Sequence, residues 1–127
     1  MKLLTKELLK KIPPLYTNEE EVDPFVVSKF FMPDGCWTWY VLEGSTREPE
    51  GCGWGHNCNH EPLTEYNPSR DDILFFGYVV GDYPELGYFS FSELTGLRGS
   101  LPLGIERDLS FKPCRLSDLK KQRAAAA

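Results

Sequence analysis

The chain has 127 residues, 41% hydrophobic and 26% charged, with a net charge of −5. That make-up suits one globular domain with a single core. No apolar run approaches the roughly 20 residues a membrane span needs, and an acidic body disfavours wrapping duplex DNA, whose phosphates it repels.

Thr5 caps an expected helix running to Lys11, with Leu3, Leu4, Leu8, Leu9 and Ile12 at helical spacing and lysines on the other side. Pro13-Pro14 ends it. Thr17–Asp23, with three consecutive glutamates, reads as a solvent loop. Phe25–Met32 is the first strand, Pro33-Asp34-Gly35 a turn, and Trp37–Glu43 the second strand. The short turn makes these two an antiparallel hairpin.

From Gly44 to Arg70 Pro, Gly, Asn and charged residues give a long irregular loop, a kind that is usually functional or tied down by something extra. Ile73–Val80, aromatic and β-branched, is the third strand and the centre of the fold. After a turn at Gly81–Pro84 comes a fourth strand, Leu86–Phe89, expected to be central as well. Ser90 then caps a short helix to Leu97, with Glu93 completing a capping box and Gly96 and Gly99 as stop signals. Leu101–Gly104 is a loop. A fifth strand, Ile105–Phe111, has Ile105, Arg107, Leu109 and Phe111 on one face, and Ser117 caps a last basic helix.

The expected fold is α+β: one domain over residues 1–123, an antiparallel sheet of about five strands, the amphipathic N-terminal helix on one face and a short helix after strand four. Ala124–Ala127 is read as an appended remnant outside it. The N-terminal segment is broken by charge and has no signal-peptide core, which predicts a cytoplasmic protein with four reduced cysteines.

Charge is unevenly placed. Residues 1–11 and 112–127 hold nine Lys/Arg against two Asp/Glu; residues 12–111 hold five against seventeen. Solubility alone accounts for this. The sharper reading is an acidic face that attracts a basic protein partner. The basic ends also allow contact with nucleic-acid phosphate.

Three sets of residues could carry chemistry. Cys52, His56, Cys58 and His60 are zinc ligand types in a loop that a metal would order, although four ligands within nine residues crowd a tetrahedron. The plain alternative is a polar loop. Cys36 or Cys114 could replace one ligand if the fold brings it near. Glu106 with Asp108, and Glu85 with Glu93, are carboxylate pairs that read more simply as solvated side chains. Trp37, Trp39, Tyr40, Phe76, Tyr78 and Tyr88 could form an aromatic binding face on whichever side of the sheet the helix leaves free. No nucleophile is paired with a base, so the reading leans away from an enzyme.

The segments K-L-L-T-K-E-L, P-P-L-Y, W-T-W-Y, L-F-F-G, E-L-G-Y-F-S and P-L-G-I-E-R-D-L occur in that order. Together they resemble a bacterial domain-of-unknown-function family of small proteins carried on plasmids, integrative elements and phages. The resemblance implies a mobile-element setting, in which proteins handle DNA or blunt host defence. It brings no reaction and no catalytic residues. The expected function is therefore a non-enzymatic interaction module with a protein partner. The alternatives are a single-stranded nucleic-acid accessory protein, and a zinc protein or metal-dependent hydrolase built on the 52–60 loop.

Overall fold

The computed structural model describes residues 3–15, 20–33, 35–47, 63, 66–67, 71–97 and 104–126. The elements in chain order are α1 (Lys6–Lys11), β1 (Phe25–Val26), β2 (Ser28–Phe31), β3 (Thr38–Arg47), β4 (Asp72–Val80), β5 (Pro84–Ser90), α2 (Phe91–Gly96), β6 (Glu106–Arg107), β7 (Cys114–Arg115) and α3 (Leu116–Ala126). Five strands form an antiparallel sheet in the order β5-β4-β3-β2-β6, as the α+β reading expects, and β1 pairs with β7 in a separate two-stranded ribbon.

Strand alternation sorts the core into two layers. Phe30, Trp39, Val41, Ile73, Phe75 and Phe89 point to one face. There they pack with Leu8 and Ile12 from α1 and its end, and with Leu94 of α2. Val26, Tyr40, Leu42, Tyr78 and Val80 point to the other face, beneath Leu116 and Leu119 of α3. The caps of the first two helices are those the sequence indicates: the Thr5 and Ser90 hydroxyls accept from the Leu8 and Glu93 N–H groups.

Five expectations change. The fourth strand, β5, stands at the end of the order and not at its centre, with no strand beyond it among the described residues. The irregular loop does not begin at Gly44, since β3 continues through Arg47. Its polar stretch is held by a Gly44 N–H bond to the Pro13 carbonyl and by the buried Ser45 hydroxyl, which accepts from the Leu15 N–H at 2.9 Å. The first strand breaks at Val27, and its first two residues leave the sheet to pair with β7.

The fifth strand keeps only two residues. Asp108 bends the chain there: its carboxylate accepts from the Ser110 N–H and its carbonyl from that of Phe111. The turn carries Phe111 over to the opposite face, against Tyr40. Finally, Ser117 is not a cap but lies inside the first turn of α3. Its N–H and hydroxyl both donate to the Asp23 carboxylate, at 2.8 and 2.6 Å.

That contact has a counterpart. Ser92, in the first turn of α2, donates its N–H and hydroxyl to the Asp72 carboxylate at 3.0 and 2.7 Å. An aspartate distant in sequence thus grips the start of a helix on each face, where a negative charge also suits the helix dipole. The two hydrogen bonds from Ser117 hold the Asp23 carboxyl below its ordinary pKa, with Arg115 and Lys121 adding to the effect.

Candidate binding groove

Between Val41 and Glu43 the ladder of β3 on β4 slips by one residue: Val41 faces Gly77, Glu43 faces Phe76, and Leu42 has no partner of its own. In such a bulge two successive side chains turn to the same side. Leu42 and Glu43 both project towards the α3 face and line a groove of about 380 Å³. Phe76 and Tyr88 continue the Glu43 row across β4 and β5, their ring centroids 4.9 Å apart. The far wall is Val22, Pro24, Leu116 and Lys120.

The mouth of this groove is apolar and open. Val22 is 96% exposed and Leu86 51%, with Tyr83 exposed beyond them. Of its three charged residues two are acidic: Glu21 at the wall and Glu43, only 4% exposed, on the floor, against Lys120 on the far side. Among the described residues, no strand pairs with the outer edge of β5. The outer edge of β5 borders the groove on one side.

The six aromatic residues singled out from the sequence do not form one platform. Trp39 is buried in the α1 face, and Trp37, half-exposed, stacks on it with centroids 6.0 Å apart. Tyr40 and Tyr78 are buried beneath α3. Only Phe76 and Tyr88 meet at the groove. The expectation of a free second face left out α3, which covers Tyr40 and Tyr78 there.

Nor are the basic residues of the C-terminal segment all turned outward. Arg123 donates to the Tyr40 hydroxyl at 2.9 Å and lies over its ring. Lys120 lies over Tyr78 at 5.3 Å, and Arg115 over Phe25 at 5.6 Å. The Lys120 and Arg123 contacts hold α3 to the aromatic sheet, and that of Arg115 lies within the β1–β7 ribbon.

Cys52, His56, Cys58 and His60 lie outside the described residues. Among the described residues no three His, Cys, Asp or Glu side chains converge. Cys36 and Cys114 are free thiols, and burial, with Asp118 nearby, pushes the Cys114 thiol up, away from the reactive thiolate. Asp108 pairs with Lys29 at 3.5 Å. No helix among the described residues is long and apolar enough to cross a membrane.

The groove residues Leu42 and Glu43 gave no separate signal in the sequence. A charged residue after W-T-W-Y-V-L reads as a strand end, not as a bulge. Leu86 and Tyr88 were legible as strand residues but not as members of an exposed edge.

The resemblance noted from the sequence motifs has support. A family model described as protein of unknown function, DUF2958, matches residues 62–126, half of the chain, and contains L-F-F-G, E-L-G-Y-F-S and I-E-R-D-L. No curated protein and no solved structure matches.

Proposed function

The chain belongs to the DUF2958 family, and we propose that it is a binding module that takes an extended, basic and apolar segment of another protein into the groove along β5. The observation that carries this reading is a sheet edge that no described strand covers, beside a largely apolar groove with Glu21 at its wall. An extended segment can add to the edge through its backbone, place alternate side chains in the groove, and meet Glu21 with Lys or Arg. The mobile-element setting, with a host defence protein as partner, belongs to the same proposal and rests on the sequence resemblance alone. Single-strand nucleic-acid binding fits less well. Tyr40 and Tyr78 are buried, and Arg115, Lys120 and Arg123 lean on aromatic rings.

A displayed library of random short peptides, selected against the whole chain, tests it. The expected winners alternate apolar residues with Lys or Arg, and lose about tenfold or more in affinity for Leu86→Asp. Glu21→Lys should slow their association and flatten its salt dependence. A selection without enrichment overturns the proposal, as do winners that bind Leu86→Asp as tightly as the unaltered chain.

A further inference from the structure

The chain from Cys114 to Ala126 carries β7 and α3 and adds no strand to the five-stranded sheet. β7 pairs with β1 over two residues, Arg115 with Phe25 and Cys114 with Val26. Beside that ladder the Leu116 N–H donates to the Pro24 carbonyl at 2.9 Å and Arg115 donates to the Asp23 carbonyl at 3.2 Å. The Asp23 carboxylate grips Ser117. This seam along residues 23–26 is short. α3 meets the sheet itself through side chains: Leu116 and Leu119 in the core, Lys120 and Arg123 on the Tyr78 and Tyr40 rings. Both cations are exposed, and a cation–π contact at an exposed site shifts an equilibrium by about fivefold or less.

Tyrosines lie beneath α3, where the α1 face has Phe30, Phe75 and Phe89. A phenol is apolar in body and polar at its tip, so water reaching it costs less than water reaching a buried phenyl ring. Tyr40, Tyr78 and Leu86 pair across β3, β4 and β5, one row from Glu43, Phe76 and Tyr88. With α3 in place, Tyr40 and Tyr78 are roofed while Phe76 and Tyr88 line the groove. Without that roof the two rows form one aromatic surface.

We propose that the segment from Cys114 to Ala126 is a lid, latched by Asp23, that lifts as one unit while the five-stranded sheet stays folded. Its use, lengthening the groove by a second aromatic row, rests on reading the groove as a binding site; the opening itself does not. Amide hydrogen exchange of the whole ¹⁵N-labelled chain, with no peptide present, tests it, so a failed peptide selection leaves the lid standing. Leu116 and Lys120–Arg123 should exchange with one common protection, at least about tenfold weaker than that of Phe75 and Phe76 in β4. Ile73→Val, in the buried core of the α1 face, should speed exchange in β4 by about threefold to tenfold and leave the lid amides unchanged, since they open without the core. Asp23→Ala should speed Leu116 and Lys120–Arg123 alike, by about tenfold. Lid amides that follow Ile73→Val overturn the proposal, because the segment then opens only with the whole fold. So does protection that fades from Leu116 to Arg123, which is a fraying helix and not a lid. If Asp23→Ala fails to fold, Ile73→Val and the unaltered chain still decide.

Discussion

The two faces of the sheet are built from the same kinds of residue and end up different. On the α1 face, Phe30, Phe75 and Phe89 meet ring against ring, with centroids 5.4 to 6.1 Å apart, and are closed over by Leu8, Ile12 and Leu94. On the α3 face, Tyr40 and Tyr78 are roofed by a helix that brings Leu116 and Leu119 to the core, and its cations rest on the rings. The roof stops short of Phe76 and Tyr88, and the groove is what it leaves uncovered. A face sealed by apolar side chains serves stability. A face roofed by a sparse helix leaves apolar surface over for a partner.

Substitution of neighbours in β4 tests that contrast most strongly. Phe75→Ala should cost about 3–5 kcal/mol in chemical denaturation, since the ring is fully buried. Phe76→Ala, one residue on and half-buried, should cost only about 1–2 kcal/mol while abolishing peptide capture. Equal losses of stability would mean that the faces are not distinct.

Two directly paired glycines give the next largest effect. A Cβ on Gly77 would drive into the Tyr40 carbonyl oxygen, whereas one on Gly87 meets open space. Gly77→Ala should therefore destabilise by about 3 kcal/mol. Gly87→Ala should stay within about 0.5 kcal/mol of the unaltered chain. If the two alanine variants melt alike, the edge is not open.

The smallest effect concerns the hold on α3. Because folding lowers the Asp23 pKa, its carboxylate stabilises the fold above its ordinary pKa near 3.8, and that contribution fades as pH falls through the lower, folded value. Asp23→Asn should unfold at lower urea than the unaltered chain near neutral pH, with the gap closing below about pH 4. A gap independent of pH would show that Asp23 acts only as a neutral hydrogen-bond acceptor.

The elements legible in the sequence are those that carry their own signal. The apolar run of β4 and the capping hydroxyls of Thr5 and Ser90 are complete within a few residues. What was missed depends on contacts distant in sequence. Ser117 reads as a cap by itself, and only Asp23, folded against it, shows that the helix starts earlier. Gly44–Arg47 reads as loop because its strand character rests on the ladder with β4, with Pro13 and Leu15 bonded to Gly44 and Ser45. The aromatic residues were found, but their division between core and surface was decided by α3, whose alanine and lysine composition gives little sign of a roof.

The spare residue at Leu42 has an implication for how such a groove can diversify. Since Val41 and Glu43 face adjacent residues of β4, a chain lacking Leu42 would keep every other side chain of β3 on its present side. Gain or loss of a single codon there would deepen or fill the hollow without inverting the strand, so the shape of this surface can change by counting alone.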